Sequence, residues 1–175
     1  MLINLSDVLS EQHKTIEKDI SLEMNEFCSE LGTFPIVKKD VGHMVIEHVK
    51  DKELLINGNM NLIIAIPCAR CLSDVTYKFE MRFSKNIDLD ISKEERIDEL
   101  DEMNYIDGYH LDVDKLFYNE ILIGWPMKVL CSEDCKGICS VCGQNLNEGV
   151  CNCEVTNLDP RMSVVRDVFK NFKEV

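Results

Sequence analysis

Two stretches set the pattern of this chain. Ile56, Met60, Leu62, Ile64 and Ile66 fall on even positions, with Asn57, Asn59 and Asn61 between them. Then Val75, Tyr77, Phe79, Met81 and Phe83 alternate with Thr76, Lys78, Glu80, Arg82 and Ser84. Strict alternation puts every apolar side chain on one face of an extended chain, so both stretches predict half-buried strands. Gly58 interrupts the first apolar face and predicts a bulge or a close backbone approach. Val41–Val49 is β-branched and extended, with Asp51-Lys52 as the turn after it. Ile16, Ile20, Leu22 and Met24 predict an edge strand, interrupted by Lys18. Ile3 and Leu5 share one side of a short strand, and Ser6 is placed to cap a helical turn running to Ser10. Phe27, Leu31 and Phe34 keep no clear period, and Gly32 with Pro35 marks a break.

The period then changes. Asp112 reads as a helix N-cap, and Val113, Leu116, Phe117 and Ile121 form one helical face that ends at Gly124 and Pro126. A second helix opens at Asp159-Pro160, with Val165, Val168, Phe169 and Phe172 at i, i+3, i+4 and i+7. Successive strands followed by two amphipathic helices predict an α+β fold. In it an antiparallel sheet body is covered by helices at 112–124 and 160–172 and joined to a C-terminal cysteine-rich region. The expectation is a single domain over 1–175: a β-rich body to about residue 87, an acidic linker at 88–108, and the helix and cysteine-rich region at 109–175.

Composition fits that picture. At 175 residues and 45% hydrophobic, the chain can bury a core of its own. No apolar run is long enough to span a bilayer, and the first residues carry neither a basic n-region nor an apolar h-region. The expected location is therefore the reducing cytoplasm, where grouped cysteines serve as metal ligands or redox groups. The net charge is −13. Between Ile87 and Asp107 nine acids face only Lys93 and Arg96, while Pro35–Ile87 holds eight basic residues against six acids. So acidic a chain draws little long-range attraction from nucleic acid, and any RNA contact has to be local. A basic protein partner suits the acidic stretch.

Cysteine is the candidate chemistry. Cys68 and Cys71 stand as C-x2-C in PCARC, and Cys131 to Cys153 reads CSEDCKGICSVCGQNLNEGVCNC. Four thiolates at such spacings suit tetrahedral zinc, and Gly143 after Cys142 permits the tight turn of a metal knuckle. One partition gives two sites. Cys139, Cys142, Cys151 and Cys153 form a local one, and Cys68 and Cys71 join Cys131 and Cys135 in the other, linking the sheet to the C-terminal stretch. The rival is one zinc on Cys135, Cys139, Cys142 and either Cys151 or Cys153. One or two zinc ions are thus expected. Cys28 has no partner nearby in sequence and reads as a small apolar residue.

No catalytic residues emerge. PCARC matches half of the zinc-deaminase signature, but no histidine heads an H-x-E. A thioredoxin-like pair needs a helix after it, where this chain has a strand. Phosphate-loop, dinucleotide and nucleophile-elbow motifs are absent. For RNA, the least acidic surface is the polar side of the strand at 75–84, with Lys78 and Arg82 on it and Arg70 and Lys85 near its ends.

CARCL at 68–72 followed by a strand, an acidic linker, a helix ending at Gly124-Trp125-Pro126, then LCSEDCKGICSVCGQNLN, CNC and DPR: this combination resembles the YceD-type large ribosomal RNA subunit accumulation proteins. Ile138 stands where that family often has Leu, and Ser140 where Pro is common. The resemblance implies a small non-enzymatic factor supporting processing or accumulation of large-subunit rRNA. Its expected partners are that rRNA, a basic ribosomal protein of the large subunit, or both, with no membrane and no small-molecule substrate. The alternatives from other classes are a zinc or thiol redox sensor and a purely structural zinc-binding adaptor.

Overall fold

A computed structural model describes residues 1–50, 52–89 and 105–153. The helix expected at 160–172 and the middle of the acidic linker lie outside the described residues. The chain divides into two compact units, one of Met1–Ala69 with Ser73–Cys131, the other of Arg70–Leu72 with Ser132–Val175.

The first unit is mostly antiparallel sheet, α+β as expected. Its elements are β1 (Leu2–Asn4), α1 (Ser6–Leu9), β2 (Thr15–Ile20), β3 (Glu26–Ser29), β4 (Gly32–Lys39), β5 (Gly42–Lys50), β6 (Glu53–Pro67), β7 (Asp74–Asp88), β8 (Ile106–Asp107), β9 (His110–Asp112) and α2 (Val113–Ile123). β6 organises them. One edge pairs with β7 along its whole length, Glu53 opposite Asp88 through Pro67 opposite Asp74. The other edge is shared, β5 taking residues 53–59 and β4 residues 62–64. β2 closes the far side of β5, and β3 the far side of β4. A small second sheet runs β1-β9-β8.

The alternation seen in the sequence sets the faces. Every even position of β6 from Leu54 to Ile66 is buried, as are Phe79, Met81 and Ile87 of β7. Helix α2 covers this side with Val113, Leu116, Phe117 and Ile121, all buried, and Phe117 meets Phe83 edge-on at 5.3 Å. Asp112 caps it, its carboxylate accepting the Lys115 N–H at 3.3 Å. Beyond the helix end, Trp125 stacks on Phe27 at 4.9 Å and touches Phe34 at 4.8 Å and Phe79 at 5.9 Å. One indole thus packs the β3–β4 hairpin against β7.

Three local expectations change. Ser6 is the first residue of α1 and not its cap; no side chain caps that helix, and the Ser6 N–H is taken by Asn4 Oδ1 at 2.8 Å. The stretch around Pro35 is a strand and not a break. Ile36 donates its N–H to Asn25 O at 2.9 Å, so the missing N–H of Pro35 would face the other edge, where the ladder to β6 stops at Ile36. The ends of the acidic linker are also structured: β7 extends through Asp88, and Ile106–Asp107 is β8. At Gly58 the close approach is the correct alternative. Gly58 keeps register with Met44 and Phe83, and an added Cβ would lie 2.3 Å from the Phe83 ring.

Candidate metal centres and the open sheet face

The described residues of the second unit bury almost no apolar side chain. Among its described residues the only buried side chains are Cys71, Cys135 and Cys139, while Leu72, Ile138, Val141 and Val150 are exposed. Its order comes from turns. Cys139 N–H donates to Gln144 O at 2.8 Å, Gly143 N–H to Cys139 O at 2.9 Å and Leu146 N–H to Gly137 O at 2.9 Å, with Ile138 bridged to Asn145.

The eight grouped cysteines fall into two sets. Cys68, Cys71, Cys131 and Cys135 form one, Cys139, Cys142, Cys151 and Cys153 the other, and within each the four sulfurs lie within 4.8 Å of one another. A divalent ion bound tetrahedrally by sulfur at about 2.3 Å sets sulfur–sulfur edges of about 3.8 Å, so small inward shifts complete either site. Both groups can hold a metal ion. The sulfurs group in the same fours as the two-site partition. The single-site set differs from this grouping, in which Cys135 stands with Cys68, Cys71 and Cys131, and Cys139 and Cys142 stand with both Cys151 and Cys153.

Donors around the sulfurs favour thiolates. Cys131 N–H points to Cys68 Sγ at 3.4 Å, Val141 N–H to Cys139 Sγ at 3.4 Å, and Asn147 Nδ2 to Cys135 Sγ at 3.3 Å. The N–H groups of Cys142 and Val141, with a hydrogen bond from Cys151, pull Cys139 down to about 6. Cys153 is pushed up to about 12, by its hydrogen bond to Cys142 and by burial. Cys151 is lowered by the Cys153 N–H, but its hydrogen bond with Cys139 and burial outweigh this and raise it. In this group the first negative charge is easily placed and later ones repel it. A cation at the centre removes that repulsion.

The two knuckles share a backbone feature. The residue after the second cysteine is left-handed in each, Leu72 at φ 61° and Gly143 at φ 74°. Glycine reaches that region without a clash; leucine does so at a cost.

The four basic residues expected near RNA stand in different surroundings. Arg70 belongs to the second unit and donates to Cys135 O at 2.8 Å and Glu133 O at 3.3 Å. Lys85 sits on the helix-covered side of β7, its ammonium 2.8 Å from the Glu120 carboxylate and 5.8 Å from the Tyr105 ring centroid. Its odd number, in phase with Phe83 and Ile87, already placed it on that face. Lys78 is exposed but pairs with Glu80 at 2.5 Å. Arg82 is exposed, and among the described residues its guanidinium forms no hydrogen bond or ion pair.

Around Arg82 the open face of the sheet carries a shallow basin of about 380 Å³. His43, Asn59 and Arg82 lie in one cross-strand row, Val45, Asn57 and Ser84 in the next. His43 approaches Asp19 Oδ1 at 3.3 Å from its far side. Asparagine is depleted in strands, yet a central strand presents three in succession on this face. Their spacing was visible in the sequence; that β5 would bring His43 beside them was not.

Among the described residues no helix is long and apolar enough to cross a membrane. A family model described as "Large ribosomal RNA subunit accumulation protein YceD" matches residues 56–169. No curated protein and no solved structure matches the chain.

Proposed function

Since the chain belongs to the YceD family of large ribosomal RNA subunit accumulation proteins, we propose that it is a non-enzymatic cytoplasmic factor that binds large-subunit rRNA. The contact surface is the open face of the six-stranded sheet. The observation that carries this reading is the row His43–Asn59–Arg82 beside Asn57 and Ser84. Amide and hydroxyl groups with no hydrogen-bond partner among the described residues suit the exposed edges of unpaired bases, and one free guanidinium suits a phosphate. Such a surface binds locally and does not depend on the net charge, which repels RNA at long range. The acidic stretch around 88–107 takes the other role, attracting a basic ribosomal protein. Zinc in the two cysteine groups is structural: every ligand is sulfur, which leaves no protein donor for acid–base work and no position reserved for water.

The test is cross-linking in cells, with sequencing of bound RNA, for the natural chain and for R82E and N59D. Both substitutions change exposed side chains outside the core. Loss of large-subunit rRNA cross-links in both, with the protein still folded, is the expected result. Unchanged cross-links, and full restoration of rRNA accumulation by R82E in a cell lacking the protein, would remove the sheet face from the mechanism.

A further inference from the structure

Asn147 stands in the loop of one cysteine group and touches a sulfur of the other. Its position is fixed from the second group. Ile138 bridges Asn145, and Leu146 N–H reaches Gly137 O at 2.9 Å, so the chain arrives at Asn147 already held by the knuckle around Cys139 and Cys142. Asn145 Oδ1 then accepts both the Asn147 N–H at 3.1 Å and Nδ2 at 2.9 Å. The second Nδ2 hydrogen points to Cys135 Sγ at 3.3 Å, and Oδ1 accepts the Lys136 N–H at 2.8 Å. The orientation of the amide is set by these partners: only oxygen can face the Lys136 N–H, so the donor end must face sulfur.

We propose that Asn147 is a positioning residue that couples the two metal groups. Metal on Cys139, Cys142, Cys151 and Cys153 fixes the loop, and the loop presents an N–H donor to the Cys135 thiolate. A donor on a ligand sulfur spreads its charge and holds its lone pair toward the ion. The first group therefore binds its ion more tightly once the second is loaded. This rests on the reading that both groups hold metal.

The plain alternative is that Asn147 only caps the turn at Lys136. N147D separates the two, because it keeps an oxygen for the Lys136 N–H and puts a carboxylate oxygen against the sulfur. N147A removes both contacts. The measurement is titration of the full-length chain with Co²⁺, read by thiolate-to-metal absorption, followed by chelator competition with Zn²⁺. Cys142→Ser disables the second group and Cys71→Ser the first, which assigns each binding step. The natural chain is expected to take two ions. N147A and N147D should each weaken the first group about 10- to 100-fold, the usual effect of losing an outer partner of a ligand. Cys142→Ser should weaken the first group by a similar factor, and adding N147A to it should cost little more. Two ions bound with N147D equal to the natural chain would leave only the turn cap. Equal N147A losses with and without Cys142 would show independent groups. Fewer than two ions in the natural chain would overturn the two-metal reading itself, and the coupling with it.

Discussion

In their described residues the two units of this chain are ordered in opposite ways. The sheet unit buries a continuous apolar core from Ile3 through Val129, with β6 paired on both edges. Each buried aliphatic side chain there contributes about 1.5–3 kcal/mol, enough together to offset the lost chain entropy. The cysteine unit has no comparable cluster among its described residues; the side chains it buries are three cysteines. Hydrogen-bonded turns alone do not outweigh that entropy, because each replaces bonds to water and adds only about 1 kcal/mol. The difference teaches where metal would matter: among the described residues the cysteine unit has little else to bury, whereas the sheet unit has an apolar core of its own.

Metal removal tests this most directly and carries the largest effect. Structural zinc contributes about 10–16 kcal/mol of apparent binding energy in isolated knuckles. With a strong chelator, the amide hydrogens of Cys139 and Leu146 should lose their exchange protection. Those of Ile56 and Leu62 in β6 should stay protected. If all four lost protection together, the sheet unit would not hold its own fold without metal and the contrast would collapse.

Gly58 probes the opposite unit. A methyl group there would stand 2.3 Å from the Phe83 ring, far inside contact distance. Gly58→Ala should cost about 1–3 kcal/mol in denaturant unfolding of the sheet unit, the usual penalty of overpacking. In a Phe83→Ala background the same change should cost less, because the ring that the added methyl meets is gone. Metal affinity of the Cys139–Cys153 group should not move. A drop there would mean that the units do not fail separately.

Asp114 gives a smaller effect within the sheet unit. Its carboxylate accepts the N–H of Glu23 at 2.8 Å and of Met24 at 3.4 Å, and the amino-terminal ammonium at 2.5 Å. Burial alone would raise this carboxyl, but the ammonium and the two N–H donors win and lower it below 3.8. A depressed carboxyl stabilises the fold above its unfolded value and loses that contribution as pH falls through the folded one. Asp114→Ala should therefore cost about 1–2 kcal/mol at pH 7, after allowance for its partial exposure. The gap from the natural chain should close below about pH 4. A gap that persists unchanged at pH 3 would show that packing, not charge, is lost.

How far these features could be read from the sequence follows from the range of the interactions involved. The faces of β6 and β7 were plain, because period two is a local property and their even and odd sets are nearly pure. The helix at 113–123 was equally plain, from its cap and stripe. The β3–β4 hairpin was hidden because Phe27 and Phe34 earn their place only against Trp125, some ninety residues on. The two-site partition was one of two open readings, since Cys135 is four residues from Cys139 and joins Cys68 only through the return of the chain. The state of the basic residues was hidden for a similar reason. Net charge counts Arg70, Lys78 and Lys85 as available cations, but Glu80, Glu120 and backbone carbonyls claim them. Asn147 gave no signal at all, because an asparagine in a turn looks the same whether or not a sulfur faces it.

Between the two knuckles the expected effect is the smallest. Gly143 and Leu72 hold the same left-handed position after a C-x2-C pair. At Gly143 nothing lies within 4 Å of an added Cβ, so only the backbone angle asks for glycine. Leu72 pays about 1–2 kcal/mol for that angle and is 64% exposed, so packing returns little of it. Leu72→Gly relieves the strain but loosens the unfolded chain by about 0.5–1 kcal/mol. The net expectation is a gain of about 1 kcal/mol or less, measured by denaturant unfolding of the zinc-loaded protein. Gly143→Ala, which adds the strain, should lose about 1–2 kcal/mol. Should Leu72→Gly leave stability unchanged or higher yet reduce association with large-subunit rRNA or its proteins, the leucine is a contact residue. Strain kept at an exposed apolar side chain then has its explanation in binding.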